Sequence, residues 1–180
     1  KYSISSVQVL KYQAYKVYYG DTLNSKSQSF FTTPASKNEV TFVVINDVHE
    51  NSGKLASYLK NADISGKDFF IFNGDMVDYL QTHEQLYPGF IDTAAFYFAS
   101  RKPFLYVRGN HETRGYMARE LKDHFDFPQG RFYYGFDYGP VHFTVLDCGE
   151  DKPDNNRYYY GLADYDAYRQ KQLEWIKSET

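Results

Sequence analysis

Three short stretches of this chain place metal-binding side chains at close, fixed spacing: Asn46-Asp47-Val48-His49, Asn73-Gly74-Asp75-Met76-Val77-Asp78 and Arg108-Gly109-Asn110-His111-Glu112. Between them they offer the carboxylates of Asp47, Asp75 and Asp78, the imidazoles of His49 and His111, and the carboxamide of Asn110. Carboxylate and imidazole together suit manganese, iron or zinc, whereas calcium and magnesium take fewer imidazoles. Gly74 and Gly109 let the backbone turn sharply where side chains must crowd a cation. Taken singly, each stretch has an ordinary explanation: Asp-x-His at a strand end serves as a cap, and Gly-Asp-x-x-Asp as a turn. All three in succession, each directly after an apolar run, point to one shared pocket.

Those apolar runs are the elements that must position the pocket. Val40–Ile45, Phe69–Phe72, Phe104–Val107 and Val141–Leu146 are short and largely apolar, the pattern of strands buried on both faces. Helical periodicity lies between them. Leu55, Tyr58 and Leu59 share one face of a helix that Ser52 could cap. Ile91, Ala94, Ala95 and Phe98 share another face, with Pro88 near the start of that helix. Met117, Leu121 and Phe125 line a third helix, Phe132–Gly139 reads as a hairpin, and Asp164–Ser178 as a terminal amphipathic helix. Strand–helix alternation predicts an α/β fold with a largely parallel sheet flanked by helices. In open sheets of that kind, ligands bind beyond the carboxyl ends of the strands, which is where the three stretches lie.

Residues 1–35 follow a different rhythm. Val7 and Val9, then Tyr15, Val17 and Tyr19, alternate with other residues at the spacing of two expected of strands. Gly20-Asp21 and Asn24–Ser29 carry turn chemistry, and Phe30–Thr33 reads as a strand stopped by Pro34. We expect two units, a β-rich fragment over residues 1–35 and a catalytic domain over 36–180. With 42% hydrophobic and 24% charged residues the chain can bury a core, which excludes wholesale disorder. No apolar run approaches the roughly 18 residues of a membrane helix. A net charge of -3 and a pI near 5.9 make nucleic acid an unexpected main partner. The lone Cys148 excludes an internal disulfide and a multi-thiolate zinc site. The 19 Tyr and 15 Phe suit strands or wet, nucleotide- or sugar-facing surfaces. The chain starts at Lys1 and shows no signal-peptide or lipidation motif, so it is expected to be a piece of a longer protein.

The set Asp47-x-His49, Gly74-Asp75-x-x-Asp78 and Gly109-Asn110-His111-Glu112 resembles the calcineurin-like metallophosphoesterases over residues 40–180. Tyr134–Asp137, the run from Val141 to Asp147 and Gln172–Ile176 resemble later landmarks of that family. The resemblance implies one half of the family's β-sandwich and hydrolysis of a small phosphomonoester or phosphodiester by water at two transition-metal ions (Mn, Fe or Zn). It implies that Asp47 and His49 hold the first metal, that Asp75 bridges both, and that Asn110 ligates the second. His111 would protonate the leaving oxygen, with Asp78 orienting its ring. The chemistry is coherent. Two cations about 3.5–4 Å apart neutralise a phosphate and make water a better nucleophile near neutral pH. Histidine titrates in the range where a leaving alkoxide needs its proton.

This sequence departs from the family in instructive ways. Three further histidines that complete the family's centre lie C-terminal to the helix holding Trp175 and have no counterpart up to Thr180. That leaves Asp47, His49 and Asp75 for one metal and Asp75 and Asn110 for the other, an incomplete centre awaiting a C-terminal segment of the parent protein. Protein phosphatases of the superfamily follow the second motif with Arg; here it is Tyr79. Purple acid phosphatases carry Tyr where Asp78 stands, so Asp78 argues against a purple enzyme, although residues 1–35 resemble the end of a fibronectin type III-like module of that group's layout. Among the remaining candidates, Arg108 either contacts phosphate or pairs with Glu112, and Asn51 helps orient the site. His142 is expected in the core and His83 and His124 in solvent. Asp147 is expected in a turn, Cys148 without nucleophilic function, and Tyr158–Tyr160 at the wall of the site or on an exposed edge. Rival readings are a non-catalytic binding module that retains the fold and a metal-dependent nuclease. Location outside the cytoplasm, periplasmic or secreted, is expected from the β fragment, the tyrosines and the lack of clustered cysteine.

Overall fold

The computed structural model describes residues 38–179 in full and, before them, the backbone of four strands. These are β1 (Tyr2–Val9), β2 (Tyr12–Tyr19), β3 (Thr22–Leu23) and β4 (Gln28–Phe31). All pairing here is antiparallel: β2 pairs with β1 along its length, with β3 at its C-terminal end and with β4 at its N-terminal half. Gln28 and Ser29 belong to β4 rather than to a turn. Gly20-Asp21, residues 24–27 and the expected strand end at Thr32–Pro34 lie outside the described residues.

The sheet that matters for chemistry is β5 (Phe42–Ile45), β6 (Phe69–Asn73) and β7 (Phe104–Val107), parallel and in that order. Helix α1 (Ser52–Asn61) connects the first two strands. The second connection runs from α2 (His83–Leu86) through wide π-helical turns at Tyr87–Ile91 and Ala95–Ala99, with α3 (Asp92–Ala94) between them. The two connections pack on each other, so they cover one face of the sheet. Under them lies an aromatic core: Phe70 stacks on Phe98 at 3.7 Å between ring centroids, Phe72 meets Phe90 edge-on, and Tyr106 stacks on Phe125. The apolar side chains buried from α2 to the second π turn are Leu86, Phe90, Ala94 and Phe98, a spacing of four, with Gly89 buried beside them. In a regular α-helix that spacing drifts by about 40° per step at 3.6 residues per turn. The wider π turns keep the four in line, which leaves Ile91 and Ala95 half-buried beside the line expected to carry them.

Several expectations are corrected. Of the apolar strands only β6 is well buried; Phe42 and Val44 of β5 are exposed because β5 is an edge with one uncovered face. Val141–Val145 (β9) does not join the parallel sheet but pairs antiparallel with β8 (Tyr134–Tyr138), and that hairpin explains why its burial alternates rather than staying high. His142 therefore leaves the core and holds Asp137 at 2.7 Å across the hairpin. The third helix is reduced to one turn, α4 (Leu121–His124), although Met117 and Leu121 are buried as the periodicity required. The terminal helix α5 (Tyr165–Glu179) forms, and α1 is capped by Asn51 rather than Ser52. Among the described residues, no helix is long and apolar enough to cross a membrane.

Candidate metal centre

Parallel pairing brings the carboxyl ends of β5, β6 and β7 side by side, and the loops beyond them stay paired. Asp47 N–H donates to the Gly74 carbonyl at 3.2 Å, His49 N–H to Asp75 at 3.1 Å and Glu50 N–H to Met76 at 2.8 Å. Holding two loops in this register costs backbone strain. Asp47, His49, Glu50 and Asp75 all sit at φ between 52° and 58°, the left-handed region that non-glycine residues avoid, at about 1–3 kcal/mol each. The second and third loops approach so closely that only glycine fits: Gly74 takes φ 81°, and a Cβ on it would lie 2.7 Å from the Gly109 Cα.

A buried carboxylate fastens these loops. Glu112 is fully buried and accepts from the N–H groups of Asp75 (3.0 Å), Met76 (2.7 Å) and Gly109 (2.9 Å) and from the Tyr106 hydroxyl (2.7 Å). Burial and the Glu112 charge push the Tyr106 hydroxyl pKa well up, so it remains a donor. Arg108 does not pair with Glu112 as expected; its Nε and Nη2 donate to Asp147 at 2.9 and 2.6 Å and its guanidinium lies 3.8 Å from the Phe132 ring centroid. Glu112, with its backbone partners, has no need of a cation.

The candidate side chains converge on the strand ends. One ligand atom each from His49, Asp75 and His111 lies within 4.8 Å of the others, and the two imidazoles meet edge to face at 4.7 Å. Asp75 Oδ1 accepts the His111 backbone N–H at 3.1 Å. Asp78 Oδ1 sits 2.6 Å from His49 Nδ1, so this nitrogen carries the proton and Nε2, 3.7 Å from Asp47 Oδ1, is left with a lone pair. A carboxylate behind an imidazole whose far nitrogen faces another acid is the arrangement of a metal-binding histidine. His111 is oriented differently from expectation. Its Nδ1 lies 3.0 Å from the backbone carbonyl of Asp78, and the carboxylate of that residue is 3.7 Å away, nearer to His49 than to His111.

Asn110 stands at the edge of this cluster. Its amide lies between the Asp75 carboxylate and Arg114. With NH₂ toward Asp75 it donates at 3.1 and 3.2 Å and its oxygen accepts from Arg114 Nη2 at 2.8 Å. With its oxygen toward Asp75, two acceptors would face each other and its NH₂ would face the Arg114 donor, so the first orientation is the one that protein groups alone satisfy. The donor types gathered at His49, Asp75 and His111 fit a metal ion.

Several candidates fall away from this pocket. The Asn51 side chain accepts from Lys54 N–H at 2.8 Å, so it caps α1 instead of orienting the site. Asp147 is buried, not a simple turn residue, and anchors Arg108, the Tyr168 hydroxyl and Gly149 N–H. Cys148 is exposed, as are Tyr158 and Tyr160. His124 is not free in solvent; its ring packs on His83, and its Nδ1 lies 3.2 Å from the Tyr87 hydroxyl. Two residues that sequence reasoning passed over stand beside His111. Arg114 is held at both Nε and Nη2 by Glu150 at 2.8 Å, and its Nη1 lies 3.3 and 3.4 Å from the His111 ring nitrogens. The hydrogen bonds that Arg114 donates to Glu150 push its pKa further up. Arg114 follows His111 by three residues, the spacing that one helical turn brings together, and that was the available signal.

The calcineurin-like phosphoesterase family matches the chain over residues 40–179. No curated protein matches it. Among solved structures, the purple acid phosphatase PPD1 from yellow lupin (Lupinus luteus) seeds has a similar fold, with TM-score 0.50 and 17% sequence identity over 84% of this chain. The chain spans 32% of that protein's length.

Proposed function

The chain belongs to the calcineurin-like phosphoesterase family, and from that premise we propose that it carries the metal-binding core of a hydrolase acting on a small phosphomonoester or phosphodiester. The observation that supports this most is the convergence of His49, Asp75 and His111, with Asp78 behind His49. Asp47, His49 and Asp75 would hold one cation, and Asp75 with Asn110 a second, manganese, iron or zinc by the donor types. Bound there, such ions would supply charge neutralisation of the phosphate and acidify water near it. His111, with its Nδ1 proton engaged by the Asp78 carbonyl, presents Nε2 to the pocket, where the imidazolium form would hand its second N–H proton to the leaving oxygen and return to the neutral ring. Two donors alone would hold a transition metal weakly, so the first cation is the more firmly bound of the two in this reading. Residues 1–35 then form a separate β-rich unit preceding the catalytic one.

Manganese-dependent hydrolysis of p-nitrophenyl phosphate and bis-p-nitrophenyl phosphate tests the proposal and separates monoester from diester preference. Asp75→Asn is expected to abolish both the activity and tight manganese binding, because it removes the shared charge. An Asp75→Asn protein that binds manganese and hydrolyses as well as wild type would sink the reading.

A further inference from the structure

We propose that Arg114 binds the phosphate of the substrate, through the one guanidinium nitrogen that its structural partners leave over; this rests on the metal-centre reading above. Arginine is fixed on two sides here. Nε donates to Glu150 Oε1 and Nη2 to Glu150 Oε2, both at 2.8 Å, and Nη2 also reaches Asp151 at 3.6 Å. Glu150 is itself held, accepting from the Thr113 hydroxyl at 3.1 Å, with the Tyr159 hydroxyl at 3.4 Å. The guanidinium plane therefore cannot swing away.

Nη1 is the remainder. Its neighbours are the two ring nitrogens of His111 at 3.3 and 3.4 Å, and no carboxylate meets it among the described residues. The His111 Nδ1 proton is directed to the Asp78 carbonyl, so this ring nitrogen offers Nη1 no lone pair. Nε2, at 3.3 Å, can accept one of the two Nη1 hydrogens, which leaves at least one charged N–H donor held beside the residue that faces the reacting centre, on a side chain only partly exposed. A fixed guanidinium with unspent donors recognises a tetrahedral oxyanion better than a mobile lysine does. Nearby cations are committed elsewhere: Arg108 turns to Asp147 and Phe132, and Lys54 Nζ to the Asp47 carbonyl at 2.5 Å. The ligand class is a phosphate ester whose non-bridging oxygen lies between Nη1 and the cation pocket, with its leaving oxygen toward His111.

The test is calorimetric titration of inorganic phosphate into manganese-loaded protein, wild type against Arg114→Lys and Arg114→Ala, with manganese affinity measured alongside. Lysine keeps a positive charge against Glu150, so Arg114→Lys decides the matter where Arg114→Ala fails to fold. Both variants are expected to bind phosphate about tenfold or more weakly, the loss of a charge-assisted hydrogen bond, with manganese affinity unchanged. Undiminished phosphate affinity in Arg114→Lys overturns the proposal. So does a parallel loss of manganese, which would make Arg114 a positioning residue for Asn110. Wild type that takes up manganese but no phosphate overturns this inference and leaves the metal centre standing; wild type that takes up no manganese overturns both.

Discussion

Two acidic side chains are buried against the short turn that carries His111, and they are satisfied in opposite ways. Glu112 takes its hydrogen bonds from three backbone N–H groups and one tyrosine, all neutral. Glu150 takes its principal ones from a guanidinium. Neutral backbone donors cannot follow a carboxylate that moves, so Glu112 fixes positions: it ties the loop after β6 to the loop after β7 and, through Tyr106, to the aromatic core. A charged side chain on a flexible stem can follow, so Glu150 fixes a charge instead. One acid sets where Asp75 and Asn110 stand; the other sets what kind of field His111 sits in.

Removing Glu112 should give the largest effect. Glu112→Ala leaves four buried donors without an acceptor, each worth about 1–3 kcal/mol. Part of this is recovered as water enters, so a net loss of about 4 kcal/mol is expected, a fall in melting temperature of about 10 °C. Tyr106→Phe removes one of the four donors and should cost a fraction of that. Scanning calorimetry of both variants checks the order, and a Glu112→Ala protein melting within a couple of degrees of wild type would dissolve the contrast between the two acids.

Next comes Asp78, which separates the two histidines. Its carboxylate supports His49, whereas its backbone carbonyl supports His111. Asp78→Ala therefore removes the support of the imidazole proposed to hold metal and spares that of the proposed proton donor. Manganese affinity should fall about 10–100-fold, the usual effect of losing an outer-shell partner. Since more than half of the side chain is exposed, the melting temperature should stay nearly constant. A variant with intact manganese affinity but a shifted pH profile of hydrolysis would return Asp78 to the role expected of it from sequence, orienting His111.

What the sequence revealed and what it hid follow from how far apart the partners lie. Asp47 and His49, Gly74 and Asp75, Asn110 and His111 were legible because each group is local and each follows an apolar strand, so parallel pairing alone gathers them. Glu112 stood in the third motif, but its function depends on N–H groups that side-chain patterns do not encode. Glu150 and Arg114 are 36 residues apart, and nothing local predicts their meeting. Arg108 was adjacent to the right strand end and still turned away, because an aromatic ring and Asp147 offered it a better-enclosed partner. The misplacement of Val141–Val145 has the same origin: an apolar run of that length fits a hairpin as well as a parallel strand, and the tight Gly139-Pro140 link settled the matter for the hairpin.

The smallest effect, and the one that isolates the charge on the second acid, is the pH dependence of the Glu150 pair. Burial alone would raise the Glu150 carboxyl, but hydrogen bonding and attraction from Arg114, with help from Thr113, hold it below the ordinary glutamate range. A carboxyl depressed in the folded state stabilises the fold above its unfolded value, about 4.3, and loses that contribution as pH falls through the folded value. Glu150→Gln should therefore cost about 1–2 kcal/mol at neutral pH, since the amide keeps the shape and loses the charge, and the melting temperature should fall by about 3–6 °C. As pH falls below the unfolded value and through the depressed folded one, wild-type Glu150 itself becomes neutral, so the two melting temperatures should converge there. A gap that stays constant from neutral to acid would mean that Glu150 holds Arg114 by shape alone, and the distinction between an acid that fixes position and one that fixes charge would have to be given up.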